Sequence, residues 1–260
     1  MGITVSPERM KRAVENSAKH IENVHVLGQG HGLIQVEEAW QMLQMWCPPA
    51  SSLPSLSTDR LSGDVRFKIA VQSERFTRGI YLRQAEETSN ANTYKVDVQP
   101  IFHESTPPEQ KVQLELRLIL RSTASWVTCP DFVMMASGGK LFSVCVDPRS
   151  LPAGSVYVAF VRAYIEQRPE IGPIFEIPVT IAKPIIITEN VMDLGILSFR
   201  PSERIRRFIS PPAGCSFIDC VVQDARALNS NTNFISRVVN ARIAVTSTRR
   251  IPLRRREERN

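Results

Sequence analysis

Val112-Gln-Leu-Glu-Leu-Arg-Leu-Ile-Leu120 places an apolar side chain at every second position, with Gln113, Glu115 and Arg117 between them. A period of two belongs to a β-strand, whose alternate side chains point to opposite faces, so the stretch reads as a strand with one wet face. Val65, Phe67, Ile69 and Val71 repeat the pattern against Arg66, Lys68 and Ala70. Further strands are expected at Gly79–Arg83, Tyr94–Val98, Lys140–Val146, Val156–Ile165 and Ile174–Ala182, with turn signals such as Asp147-Pro148 and Pro152-Ala-Gly154 between them. Seven short strands at this spacing predict a mainly β fold: an antiparallel sandwich of immunoglobulin or fibronectin type over residues 65–188.

N-terminal to the sandwich the period lengthens. Ser6-Pro7-Glu8 combines a capping hydroxyl, a proline tolerated at the first helical position and a carboxylate near the positive end of the dipole, which marks a helix start. Met10, Ala13, Val14, Ser17, Ala18 and Ile21 follow at helical spacing, and Val36, Ala39, Trp40 and Leu43 repeat it in a second helix. Gly28-Gln-Gly-His-Gly32 joins the two as a tight loop. Its third glycine comes one residue too early for Gly-X-Gly-X-X-Gly and no strand precedes it, so it is not read as a phosphate cradle. Residues 49–64 are rich in Pro, Ser and Thr and read as a linker. Beyond Asn190, strand patterns at Arg206–Ile209, Phe217–Val222 and Phe234–Val245 suggest the start of a second, incomplete β domain over 189–245.

The 260 residues are 43% hydrophobic and 22% charged, the composition of an ordinary globular chain rather than a disordered one. No apolar run approaches the roughly 18 residues of a membrane span, so no membrane partner is expected. The net charge of +6 is concentrated at one end. Six arginines from Arg249 to Arg259 face only Glu257 and Glu258, and the tail 246–260 has no aromatic side chain on which a base could stack. It reads as a solvated basic tail, and specific nucleic-acid binding is not expected. Five scattered cysteines, Cys47, Cys129, Cys145, Cys215 and Cys220, form no disulfide framework, and no Asn-X-Ser/Thr acceptor is present. A reducing, cytoplasmic location is the expectation.

The chemistry-bearing residues are sparse. A serine hydrolase needs nucleophile, imidazole and carboxylate meeting in space, commonly beside a glycine turn, and no Gly-X-Ser-X-Gly segment exists here. Of the four histidines, His20 and His25 are expected to satisfy carbonyls at a helix end. His103 lies in a Ser-Thr-Pro-Pro loop and reads as exposed, and an independent hydrolase using His25 or His31 is not favoured. His-Glu-X-X-His and Cys-X-X-Cys are both missing, and Cys215-X4-Cys220 has no second ligand pair at zinc spacing. No catalytic, cofactor-binding or metal-binding residue is assigned, and no cofactor is expected.

Taken as a unit, Val5-Ser-Pro-Glu-Arg-Met-Lys-Arg-Ala-Val-Glu-Asn-Ser-Ala18 followed by Gly28-Gln-Gly-His-Gly-Leu-Ile-Gln-Val36 resembles the stretch that closes a subtilisin-type peptidase domain, just after the helix bearing the catalytic serine. Five further segments narrow the resemblance: Gly79-Ile-Tyr-Leu-Arg83, Ser125-Trp-Val-Thr-Cys-Pro130, Val146-Asp-Pro-Arg-Ser-Leu151, Gly172-Pro-Ile-Phe-Glu-Ile-Pro-Val179 and Phe199-Arg-Pro-Ser-Glu-Arg-Ile-Arg-Arg-Phe208. Together, from about residue 4 to about 245, they resemble the tripeptidyl-peptidase II family of giant cytosolic serine exopeptidases.

The resemblance implies a family that removes tripeptides from free N-termini of oligopeptides with an Asp, His, Ser triad and assembles into spindles of stacked dimers. It also implies that residues 1–48 are the end of a peptidase domain, a two-helix remnant of a subtilisin-type α/β fold. Residues 65–188 would then be an immunoglobulin-like sandwich and 189–245 the start of a galactose-binding-like domain. The sequence from Thr246 departs from the family pattern. No position here matches the triad, so the chain is expected to start after the serine and to be inactive alone. The partners implied are the rest of the peptidase domain and homo-oligomer neighbours. The alternative is a stand-alone β-sandwich module that binds protein or peptide partners, for example by adding a strand at a sheet edge.

Without the parallel sheet of such a domain, Met10, Val14, Ile21, Val36, Trp40 and Leu43 would lack a partner. At roughly 1.5 to 3 kcal/mol per large side chain, that forfeits on the order of 10 kcal/mol, comparable to a domain's whole net stability. A loosely held or sticky helical segment beside a self-sufficient sandwich is the expectation.

Overall fold

Leu114, Leu116, Leu118 and Leu120 are all buried, as the alternation of the 112–120 stretch requires. They line the interior of a sandwich in a computed structural model that describes residues 5–22, 24–46, 64–72, 79–187, 189, 191–198, 205–212 and 214. Val112 itself is exposed, because Pro107-Pro108 starts a one-turn helix there and the strand begins only at Glu115.

In chain order the first unit, 1–184, contains α1 (Pro7–Ser17), a single turn α2 (Val26–Gln29) and α3 (Val36–Trp46). There follow β1 (Arg66–Val71), β2 (Ile80–Leu82), α4 (Ala85–Ser89), β3 (Asn92–Ile101), α5 (Pro108–Val112) and β4 (Glu115–Ser122). The unit ends with β5 (Val127–Thr128), β6 (Phe132–Ala136), β7 (Lys140–Val146), β8 (Ser155–Ile165) and β9 (Phe175–Lys183). One sheet has the order β1-β3-β7-β5 and the other β2-β9-β8-β4-β6. Val96, Val98, Val144 and Val146 from the first meet Val161, Ala163, Ile177 and Val179 from the second in one continuous core.

All seven strands expected over 65–188 are present within a few residues of their expected ends. β5 and β6 are additional. Phe132-Val-Met-Met-Ala136 carries apolar side chains on both faces, so no alternation announces it, although Val133 and Met135 point inward. The sandwich also departs from a purely antiparallel one. β2 runs parallel to β9, pairing Ile80 with Val179 and Leu82 with Ile181. No hairpin links these two strands, so turn geometry imposes no direction on them. Pro178, which has no N–H to give, lies just before the position where β2 joins.

Two helical readings need correction. α1 ends at Ser17 rather than running through Ile21; Ala18 is extended and the chain turns so that Lys19 and Leu33 form an antiparallel bridge. The helical turn α2 runs into the Gly28–Gly32 loop and ends at its second residue, Gln29, with Gly30 as its C-cap.

The second unit begins at Ile185. Its described part holds a two-residue parallel ladder, β10 (Ile185–Ile186) with β11 (Ile209–Ser210), at the end of the strand expected at Arg206–Ile209. The strands expected at 217–222 and 234–245, the tail 246–260, and Cys47, Cys215 and Cys220 lie outside the described residues.

Candidate functional site

Among the described residues a polar cluster lies at the junction between the helical segment and the sandwich. α1 starts with Ser6, whose side chain accepts the Arg9 N–H, with Pro7 in the first turn. The face it turns to the sandwich is not the apolar stripe of Met10 and Val14. It is Arg9, Arg12 and Asn16, three and four residues apart and therefore on one side of the helix. Arg9 and Arg12 are buried, whereas Met10 is 46% exposed. The Arg9 guanidinium meets Asp64 at 2.7 Å, and Glu8 lies 3.6 Å from Arg66 at the start of β1. Arg12 donates to the Val65 carbonyl and sits 5.7 Å over the Phe67 ring. Burial brings its pKa down to about 10, opposed by the charges of Glu8, Asp64 and Glu15.

At the other end of α1 the Asn16 amide donates to the carbonyls of Ile171 (3.0 Å) and Pro173 (3.1 Å), in the turn between β8 and β9. Gly172 completes the fit, because a Cβ there would come within 2.5 Å of the Asn16 amide nitrogen. α3 packs on α1, its Ala39 and Leu43 are buried, and Arg168 donates at 2.7 Å to the Met45 carbonyl in its last turn. The expected orphan surface is therefore partial. Leu43 is 1% exposed and Val14 half-buried, but Val36 is 76% and Trp40 50% exposed, together with Met10, Ile21, Leu33 and Ile34.

The histidines do not converge. His25 is the N-cap of α2, its Nδ1 accepting the Leu27 N–H at 3.2 Å, and His20 contacts the Gln29 side chain; neither serves the end of α1 as expected. His103 is exposed, with Nδ1 2.7 Å from the Ser105 hydroxyl two residues on and accepting the Ser105 N–H at 3.3 Å. That is a contact within one turn. His31 alone lies at the junction, between Glu15 and Glu176. Cys129 and Cys145 are free, and burial followed by the charge of Asp131 pushes the Cys129 thiol up, the wrong direction for a nucleophile. Among the described residues no cluster of three or more His, Cys, Asp or Glu could hold a metal, and no helix is long and apolar enough to cross a membrane.

A trough of about 620 Å³ lies on the outer face of the four-stranded sheet, lined by Lys68, Lys95, Asp97 and Gln99 among others. It brings together neither a histidine nor a cysteine. The junction residues Arg9, Arg12 and Asn16 escaped the sequence reading, although their helical spacing was a signal that one face of α1 is polar by design of the fold.

Comparison with known proteins places this geometry in context. The family model for the first Ig-like domain of tripeptidyl-peptidase II matches residues 65–182. Tripeptidyl-peptidase 2 of Oryza sativa subsp. japonica is 33% identical over 228 residues, 85% of this chain and 16% of the relative. That of Drosophila melanogaster is 33% identical over 192 residues, 72% of this chain and 12% of the relative. A crystal structure of tripeptidyl peptidase 2 superimposes with a TM-score of 0.61 at 31% identity, covering 74% of this chain and 15% of that one. The chain thus spans about a sixth or less of the relatives it matches.

Proposed function

Because the chain belongs to the tripeptidyl-peptidase II family, we propose that it serves a peptidase releasing tripeptides from free N-termini of oligopeptides, as scaffold and interdomain contact rather than as the source of a catalytic side chain. Residues 1–48 act as the closing part of a subtilisin-type domain, 65–188 as the sandwich that follows it, and 189–245 as the opening of another β domain. The partner of the helical segment is the rest of the peptidase domain, with homo-oligomer neighbours beyond, in the cytoplasm.

One observation carries the reading. The helical segment is pinned to the sandwich on its polar side by Arg12 and Asn16, while Val36 and Trp40 on α3 remain uncovered. An apolar face of this kind on an otherwise anchored element marks an interaction surface. A stand-alone sandwich module is not favoured, since the 228-residue match exceeds what the sandwich alone can supply.

The test is co-expression with the part of the rice relative that precedes its matched segment. The pair is expected to co-purify and to release tripeptides from a fluorogenic substrate in a serine-reagent-sensitive way, with the chain alone inert. Turnover by the chain alone, blocked by serine reagents, would overturn the scaffold reading, as would failure of the two parts to associate.

A further inference from the structure

We propose that β6 is a docking edge for a second copy of this chain, the two strands pairing antiparallel about a twofold axis so that Phe132 of one faces Met134 of the other. The inference gives a surface to the homo-oligomer neighbours of the proposed function and rests on that part of the reading alone.

The two sandwich sheets end in four strands, β1 and β5 in one, β2 and β6 in the other. An edge strand offers unpaired backbone N–H and C=O groups, and proteins guard it with shortness, charge, proline or a bulge. β5 has two residues and β2 three. β1 is longer but carries Arg66 and Lys68, both exposed. β6, Phe132-Val-Met-Met-Ala136, has five residues with no charge, no proline and no glycine. Among the described edges of the sandwich it alone is both long and unguarded.

The register with β4 decides which groups point outward. Leu120 donates to the Asp131 carbonyl at 3.0 Å, and Leu118 and Leu116 lie opposite Val133 and Met135. Hydrogen-bonded and non-hydrogen-bonded pairs alternate along an antiparallel ladder. Asp131, Val133 and Met135 therefore direct their backbone groups to β4, while Phe132, Met134 and Ala136 turn theirs to the free edge. The Ala136 carbonyl accepts the Gly139 N–H at 3.0 Å, so among the described residues Phe132 and Met134 are the pair with both groups available.

That spacing makes the strand its own complement. Antiparallel pairing about Val133 sets each Phe132 opposite a Met134 and closes both hydrogen bonds of each pair, the self-complementary contact that a twofold requires. On the outer face the Phe132 ring, 40% exposed, meets the Met134 thioether in a favourable sulfur–aromatic contact. The pair extends a row that is already apolar, since Ile119 lies opposite Phe132 and Tyr164 opposite Ile119. The two Asp131 carboxylates stand at opposite ends of the paired stretch, so like charges are not brought face to face.

The test is sedimentation equilibrium of the full chain with residue-resolved amide exchange, in a Val36→Ser, Trp40→Gln background that removes the apolar face of α3 as a route of association. A dimer is expected. As it forms along the concentration series, the Phe132 and Met134 amides should gain protection, whereas those of Val133 and Met135, already bonded to β4, stay protected throughout. Met134→Lys puts a guarding charge on the edge, and Met134→Pro removes an N–H that faces away from β4. Each is expected to return the mass to that of a monomer with the thermal midpoint held within a few degrees. The exchange readout needs no substitution in β6, so it decides the case even where a variant unfolds. A monomer at every concentration, a dimer that survives both Met134 substitutions, or concentration-independent exchange at Phe132 and Met134 overturns the proposal. Protection of those amides only on adding the preceding part of the rice relative assigns the edge to the peptidase domain and overturns it equally. None of these readouts involves peptidase activity, so failure here is distinct from failure of the scaffold reading.

Discussion

Asn16 contributes no apolar area, yet it satisfies two carbonyls of the turn that carries Ile171, a fully buried core residue. Asn16→Ala leaves both acceptors without that donor, and a lost partner for a part-buried carbonyl costs about 1–3 kcal/mol. A fall of that size is expected in the unfolding free energy from urea titration, with helical content retained. Asp147 illustrates a different use of polarity. The Arg149 guanidinium and then its backbone N–H hold the Asp147 carboxyl down at about pKa 2. The folded chain therefore binds that proton less readily than the unfolded one, whose carboxylate titrates near about 4. The resulting stability is present above that range and lost as pH falls toward 2. Asp147→Asn is expected to lessen the drop in urea midpoint between pH 4 and 2; an unchanged drop would show that this solvent-facing pair contributes nothing.

At the scale of elements, α3 shows how a legible pattern can hide its orientation. Val36, Ala39, Trp40 and Leu43 are apolar at helical spacing, and the helix forms where that spacing places it. Yet Ala39 and Leu43 are buried while Val36 and Trp40 are exposed. The joint substitution Val36→Ser with Trp40→Gln is expected to leave the thermal midpoint within a few degrees, since exposed sites usually contribute within about 0.5 kcal/mol. Concentration-dependent light scattering and binding of a hydrophobic dye should both decrease. A large loss of stability would instead mean that these side chains are buried in the folded chain. α1 is the complementary case: its Met10 and Val14 suggested the packed side, but Arg9 and Arg12 hold the helix to Asp64 and Val65, just before β1. Charge is tolerated there because each arginine finds an oxygen acceptor at the sandwich edge.

For the whole molecule, the core is closed within the sandwich. Its buried residues run from Val71 to Ile181, and among the described residues of the helical segment Met42 packs against it. Residues 64–184 alone are expected to retain a β-rich circular dichroism spectrum and a cooperative unfolding transition; loss of cooperativity would show that α1 and α3 are required. Within that piece Leu118→Ala, at a fully buried position on β4, should cost about 2–5 kcal/mol as a cavity opens between the sheets. The match of 65–182 to the Ig-like family model follows the same boundary.

Local pattern sufficed wherever one face of a strand is wet and the other dry. Period-two alternation located β1 and β4, strand patterns between turn signals located β3, β7, β8 and β9, and the glycine loop with its flanking segments together with five later segments carried the family resemblance. β6 could not be seen that way, because Phe132–Ala136 is apolar throughout and gives no contrast between faces. Direction and partner were decided only in three dimensions. That β2 runs parallel to β9, that arginines rather than methionines face the sandwich, and that His31 lies between Glu15 and Glu176 all depend on residues far apart in the chain. Alternation records which side of an element avoids water; only chain closure determines what stands on the other side.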